Sequence, residues 1–491
     1  MGKITFPRVQ RLLLINPYAG YAQGTNESTV YPPIGLSYVA ASAEQCGVHC
    51  NIIDAAALKL PIKSLFATIK AFVPDCIGIT SNIVTAEAAI QTGKEIHARF
   101  PTIPLIFGGP YATAYPEYIL KQTQGYLVIR GEAEETIKEL LSRRVSLSSI
   151  RGISYKKGRR YIHTNQRPLI QDINTIPFPA YHLLPPLSVY KSRNRKTPIG
   201  VILSSRGCPY QCIYCNANIF GKQFRPRSVD NVLKEIDILV TTYHIKQLDV
   251  LDDNFTLLIE RAEAIFDGII KNKFNIRINL QNGVRADRLS PRLIRKMKQA
   301  GVYKATIGVE SADLHIQKTI KKTLSLPKVV WAIKQFRKYD IITACTFIFG
   351  LPGETKKTIE KTIAFAIRAN PHMANFSALV PLPQTAVYEM IQKNGTFLRP
   401  IEHGLPTGFI TNTLYFKLDA INQELISFAM SSAFRLFYFR ISKLIDLSKT
   451  IRSWGEFTWS LSMIYGVIKN INIFPSTKIF SRYLLHESEI C

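Results

Sequence analysis

The chain has no run of about 18 apolar residues, the length a helix needs to cross a bilayer core, so no spanning helix is expected. It also lacks a charged segment followed by an apolar stretch at its N-terminus, where Met1 to Val9 is short and mixed. Cysteine is sparse, 8 in 491 residues and scattered. That excludes a disulfide-stapled scaffold and points to a reducing compartment, so a cytoplasmic location is expected, extending to a membrane periphery. Carboxylates are outnumbered by basic residues, 35 against 62, for a net charge of +27. Such a balance often marks nucleic-acid or anionic-membrane partners. Here the bases are spread along the chain without a single-sign tail, and nucleic acid is not expected as a partner. The sharpest shortage is local: no Asp or Glu lies between Asp172 and Asp230. Lys191, Arg193, Arg195, Lys196, Arg206, Lys222, Arg225 and Arg227 all fall there. The stretch encloses a group of cysteines, whose thiol pKa values this positive charge is expected to lower.

Those cysteines are Cys208, Cys212 and Cys215, spaced C-x3-C-x2-C just after the apolar run from Ile199 to Leu203. The run reads as a buried strand, which puts the cysteines on the loop leaving its C-terminal end. Three close thiolates favour a soft metal or an iron–sulfur cluster, whereas structural zinc wants four ligands. The other cysteines (46, 50, 76, 345 and 491) are all distant in sequence.

Before and after this loop, strands alternate with helices. The first part reads strand at Arg11–Asn16, helix after Pro33, then strands at 48–53, 76–80, 104–109 and 126–132 with helices between. Such alternation implies a doubly wound, mostly parallel sheet, which takes ligands at the carboxyl ends of its strands. Past the cysteines, further strands at 247–251, 276–281, 304–309, 343–349 and 375–380 alternate with helices. With the strand before the cysteines they make six βα units, a partial (β/α)6 barrel with its polar residues at the strand ends. Boundaries are expected at 1–145 for the first domain, 146–195 for a linker, 196–395 for the barrel and 396–491 for a helical C-terminal region. The linker carries strand-like pieces at 152–155 and 160–163 and a proline-rich stretch, Pro177-Phe178-Pro179. The tail has an aromatic, basic stretch between Gln423 and Asp446, then Trp454 and Trp459. It suits either a membrane surface or packing across the barrel mouth.

The cysteine loop, with Tyr214 before its last cysteine, resembles the signature of radical SAM enzymes. The first domain resembles the Rossmann-like cobalamin-binding domain that precedes the catalytic domain in one class of them. Asn16-Pro17, Pro33-Ile34-Gly35-Leu36, Gly108-Gly109-Pro110 and Gly131-Glu132-Ala133-Glu134 carry this second likeness. The resemblance implies a [4Fe-4S] cluster on Cys208, Cys212 and Cys215, with S-adenosyl-L-methionine on its open iron and Tyr214 beside it. It implies cobalamin against Asn16, Gly35, Gly108, Gly109, Gly131 and Glu132. The first βα loop has no histidine, so none is expected on the lower face of the cobalt. Asp252, Asp253 and Asn254 fall where the family binds the methionyl amine, Glu310 where it contacts the ribose and Gly350 where it lines the adenine pocket. Arg285 is expected to pair the carboxylate of S-adenosyl-L-methionine through a two-pronged contact.

The implied function is methylation of an unactivated carbon through a 5′-deoxyadenosyl radical and methylcobalamin. The alternatives are oxidative cyclisation of a tetrapyrrole ester or a ring rearrangement. An RNA methylthiotransferase would need a second cluster, and Cys46, Cys50 and Cys76 lack its setting. The expected partners are a small-molecule or lipid substrate, an external electron donor such as flavodoxin or ferredoxin, and a membrane surface touched by the C-terminal region.

Overall fold

The computed structural model describes residues 5–18, 20, 31–142, 146–190, 195–217, 219–405, 413–458 and 460–461. Lys191, Arg193 and Trp459, and most of the loop after the first strand, lie outside the described residues.

The first sheet is built on β1 (Arg11–Asn16), whose run Leu12 to Ile15 is buried throughout. A strand apolar on both faces belongs in the middle of a covered parallel sheet. β1 pairs with β2 (His49–Asp54) on one side and β3 (Cys76–Thr80) on the other. β4 (Leu105–Gly108) and β5 (Leu127–Ile129) follow in parallel. The order 2-1-3-4-5 reverses at β1/β3, the switch point at which such sheets bind ligands. β6 (Ile153–Lys157) and β7 (Arg160–His163) extend the same sheet in antiparallel sense, so the stretch read as the start of the linker belongs to the first body.

The second sheet is wholly parallel, in the order β15-β14-β13-β12-β11-β8. Its strands are β8 (Ile199–Ile202), β11 (Gln247–Val250), β12 (Arg277–Leu280), β13 (Val302–Glu310), β14 (Ile342–Phe349) and β15 (Met373–Ala378). This is the six-stranded partial barrel expected from the six βα units. Caps fix where its helices start: the Ser228, Ser290 and Thr355 side chains each accept a backbone N–H of the helix that follows. Between β8 and β11 lies a short hairpin, β9 (Ser205–Arg206) with β10 (Arg225–Pro226), and the cysteine loop is what it encloses.

The aromatic tail stretch is packing. The helix Gln423–Tyr438 lies along β15, with Phe376 meeting Phe434 and Phe437 edge-on and both tail rings buried. The following helix Ile441–Ser448 is turned inside out: Lys443 is buried while Ile441, Leu444 and Ile445 face solvent. Among the described residues no helix is long and apolar enough to cross a membrane.

Two straps join the sheets. In the linker, the Tyr181 hydroxyl reaches Val201 O and Glu235, and Tyr190 reaches Asp54, each at 2.7 Å. After the barrel, the turn Ile401–His403 comes back to the first sheet. There the Tyr111 hydroxyl donates to Glu402 O, His403 stacks on Tyr118, and Leu405 N donates to Ile83 O at 2.9 Å.

Candidate active site

The cysteine loop is pinned by two segments, one around Ile320 and one from Pro383 to Val387. Ile213 N donates to Ile320 O, Val387 N to Ile213 O, and Asn216 Nδ2 to Pro383 O. The Cys212 thiol lies 3.9 Å from Lys321 O. All three thiols are free of disulfides. The expectation of lowered thiol pKa values fails. Burial pushes Cys208 up, and protein packed around the Cys215 thiol pushes it to about 12, with Asp253 and the neighbouring cysteines adding to the rise. The reason is that the arginines of the basic stretch are already neutralised: Arg206 by Glu132 and Glu134, Arg225 by Glu132, and Arg227 by Glu235. In the opposite direction act the Tyr210 N–H on Cys208 and Lys322 on both Cys208 and Cys215.

The strand ends around the loop divide into groups that face it and groups that brace it. Asp252 braces. It is fully buried and accepts Ser204 N, Ser204 Oγ and Ser205 Oγ at 2.5–2.6 Å, which leaves it no part in contacting a cofactor. Asp253 lines the cavity described below, and burial followed by Asp252 raises its carboxyl pKa. Asn254 is buried with Oδ1 unpaired among the described residues, a vacancy a buried polar atom rarely keeps. Arg285 also departs from expectation. Its fork is held by Asp287 at 3.0 and 2.8 Å, and its guanidinium lies 3.9 Å from the centre of the Tyr210 ring. Its other fork is engaged by Lys322 O and Thr323 O, so a two-pronged contact to a further carboxylate would require it to give up either Asp287 or these carbonyls.

Glu310 ends β13 at φ 67°, where the β13/β14 register slips. A non-glycine residue in that region is strained, and a bulge re-aims its side chain. Glu310 accepts Lys322 Nζ at 3.3 Å and Thr346 Oγ1 at 3.1 Å. The Tyr214 hydroxyl is raised well above its ordinary value by burial, then by Glu310 and Cys212. Lys322 is a residue the sequence reading missed. It stands on an irregular loop, 320–323, that touches the cysteine loop, Arg285 and Glu310 together. Only the fold brings those four segments to one place.

Gly350 turns at φ 88°, and its N–H, with that of Leu351, donates to Glu354 at 2.7 and 3.0 Å. Glu354 is buried, its other oxygen is unpaired among the described residues, and burial pushes its pKa up to about 8. The folded state therefore holds a proton that the unfolded chain, at its ordinary 4.5, releases. This contribution is fully present below about pH 4.5 and is lost as pH rises through about 8. The stability advantage of wild type over Glu354→Gln should shrink with pH across that window, by at most ~1.4 kcal/mol per pH unit. Thermal unfolding across about pH 5 to pH 8 measures it; a pH-independent difference would mean that the carboxyl is ionised throughout.

Facing the cysteine loop across the domain boundary is a cavity of about 690 Å³. The first sheet lines it with Gly35, Ser81, Gly108, Gly109, Gly131 and Glu132, and the barrel side with Arg206, Asn216, Phe220, Asp253 and Pro383. The volume is that of a bound organic cofactor or ligand. Gly35 and Gly131 have open space where a Cβ would stand, so side chains there would fill the cavity. At Gly109, φ is 95° and a Cβ would lie 2.5 Å from Ser81 O. No histidine is among the described lining residues. Two expected contacts are corrected. Asn16 is not in the wall; it donates to Asp54 at 2.8 Å. Glu132 is in the wall, but both its oxygens are taken by Arg206, Arg225 and Ile170 N.

No three His, Cys, Asp or Glu side chains among the described residues are gathered as a single metal ion would gather them. The donor chemistry nevertheless fits a thiolate-held cluster: three free cysteines stand on one loop, with the Asp253 carboxylate close enough to act on Cys208 and Cys215. The glycine-floored cavity fits a large planar cofactor.

A doubly wound sheet and a partial barrel sharing one cavity define a two-site class, with one cofactor cradle on each half. Family profiles match both halves: the B12 binding domain over residues 25–141 and the Radical SAM superfamily over residues 202–366. An uncharacterized methyltransferase of Pyrococcus horikoshii, PH0819, is 32% identical over 443 residues, spanning 89% of this chain and 94% of that protein. The chain belongs to the family of radical SAM proteins that carry a B12 binding domain. The anaerobic magnesium-protoporphyrin IX monomethyl ester cyclase of Rubrivivax gelatinosus is 25% identical over 392 residues, covering 77% of this chain and 69% of its own. Among solved structures, OxsB with aqua-cobalamin and S-adenosylmethionine bound shares the fold at TM-score 0.73 and 15% identity, covering 95% of this chain and 74% of that one. TsrM from Kitasatospora setae shares it at TM-score 0.65 and 16% identity, covering 90% and 91%.

Proposed function

We propose that the chain is a cobalamin-dependent radical SAM methyltransferase acting on an unactivated carbon of a small molecule. The observation that carries this reading is the shared cavity, whose wall is formed by the glycine strand ends of the first sheet and by residues of the cysteine loop. When bound, the cluster with S-adenosyl-L-methionine supplies a carbon-centred radical and cobalamin supplies a transferable methyl group, while the protein orients and keeps out water.

In this reading Cys208, Cys212 and Cys215 hold the cluster. Asp253 and Asn254 take the methionyl amine, and the orphaned Asn254 oxygen supports that role. Lys322 replaces Arg285 as the carboxylate partner, because the one bond its ammonium makes among the described residues, to Glu310 at 3.3 Å, is long and exchangeable. Glu310 accepts from the ribose hydroxyls, and Gly350 lets the backbone approach the adenine. Gly35, Gly108, Gly109 and Gly131 leave room for cobalamin. The reading calls for an external one-electron donor such as flavodoxin or ferredoxin. Contact with a membrane surface finds support in the outward Ile441, Leu444 and Ile445.

The test is anaerobic reconstitution with iron, sulfide and hydroxocobalamin, then reduction in the presence of methyl-deuterated S-adenosyl-L-methionine. Protein-bound cobalamin carrying the deuterated methyl group, detected by mass spectrometry, is the expected result. Protein that retains no cobalamin after desalting would sink the reading.

A further inference from the structure

Arg206 stands two residues before Cys208 and is buried, with its guanidinium between the Tyr38 and Phe220 rings, each centroid at 5.0 Å. One prong donates to Glu132 at 2.8 Å and the other to Glu134 at 2.6 Å. Both glutamates and Tyr38 belong to the first domain; Phe220 belongs to the cysteine loop. Arg225, across the β9/β10 hairpin, donates to Glu132 at 2.9 Å and to Phe220 O at 2.8 Å. The cluster is neutral as a set, two guanidiniums against two carboxylates. Arg206, Glu132, Glu134, Tyr38 and Phe220 all line the cavity.

A buried charge that loses its partner is strongly destabilising. Arg206 therefore cannot leave the two glutamates, and the root of the cysteine loop moves only together with the cavity wall. A cofactor that seats against that wall is felt at Cys208, and by reciprocity a loaded cysteine loop is felt in the cavity. We propose that Arg206 is a positioning residue: its bridge to Glu132 and Glu134 couples occupancy of the cavity to occupancy of the cysteine loop. The inference rests on the functional reading above, since it takes the two occupants to be cobalamin and an iron–sulfur cluster.

The experiment is an anaerobic titration of the full chain with hydroxocobalamin, once as apoprotein and once loaded with iron and sulfide. The ratio of the two dissociation constants reports the coupling. Wild type should bind cobalamin about fivefold tighter or more when loaded, the lower end of ordinary coupling between sites. Arg206→Lys keeps a charge but cannot span two carboxylates, so its ratio should fall to about one while each cofactor still binds. Phe220→Leu strips one face of the sandwich, leaves every charge paired, and should lower the ratio part-way; it serves if the lysine variant does not fold. The electron paramagnetic resonance signal of the reduced cluster should shift on adding cobalamin in wild type and not in Arg206→Lys. A wild-type ratio of one overturns the proposal, as does a full wild-type ratio in either variant. Wild type that takes up no cobalamin fails the functional reading itself, and this proposal falls with it.

Discussion

Alanine at any one of Cys208, Cys212 or Cys215 is expected to abolish reductive cleavage of S-adenosyl-L-methionine. The three thiols are the full donor set of their loop, free of disulfides, and no fourth cysteine neighbours them in sequence. A cluster held by three protein ligands has none to spare. The loss should exceed the ~100-fold that removal of an outer-shell partner of a metal site typically costs. Formation of 5′-deoxyadenosine under reducing conditions is the activity readout, with iron and sulfide content measured on the same samples. Cys46→Ala serves as the control, since that thiol lies in the turn after the helix Ile34–Glu44, where it donates to Ser42 O and packs against the core of the first domain. A cysteine-loop variant that keeps its iron and still cleaves S-adenosyl-L-methionine would remove the basis of the functional reading.

The second large effect belongs to a residue with no side chain. Gly207 sits at φ 80°, and a Cβ there would lie 2.2 Å from Gln223 O, 2.9 Å from Phe220 O and 3.0 Å from Gly221 O. All three are backbone oxygens of the returning limb of the loop, so nothing flexible can step aside. Gly207→Ala combines backbone strain with overpacking, each worth ~1–3 kcal/mol. Relief would have to come from parting the two limbs, which displaces Cys208 next door. A fall in melting temperature together with loss of iron uptake is expected. Gly35→Ala is the counterpart: a Cβ there meets nothing within 4 Å. Its melting temperature should be unchanged, while the added methyl intrudes on the cavity and weakens hydroxocobalamin binding. Should Gly207→Ala load iron like wild type, the loop is less tightly closed than its contacts imply.

What the sequence disclosed and what it withheld separate along one physical line. Features set by neighbours in the chain were legible. The apolar strands read as strands, and the three cysteines fall within eight residues, so their spacing alone announced a soft-metal loop. Features set by pairing between distant segments were not. Glu132 follows Gly131 at a strand end and looks poised for a ligand, yet Arg206 and Arg225 claim it from across the domain boundary. Asp252 and Asp253 are adjacent and alike in sequence; one is spent on Ser204 and Ser205 and the other faces the cavity. Arg285 is the exception to this line, since the partner that claims it, Asp287, stands only two residues away. Lys322 carried no local signal at all. The excess of positive charge around the cysteines misled for the same reason, because its carboxylate partners lie at 132, 134 and 235, outside the basic stretch.

The turn Ile401–His403 bears on how such a protein could be taken apart and rebuilt. The chain crosses from first sheet to barrel through the linker, then crosses back to Tyr111, Tyr118 and Ile83 before its tail returns to β15. The halves are thus sewn together twice, and no single cut frees either one. A chimera that grafts the first domain of a relative at the linker alone would leave the returning stitch facing foreign residues. Modules of this kind exchange as a pair of segments, the domain together with the distant turn that fastens it.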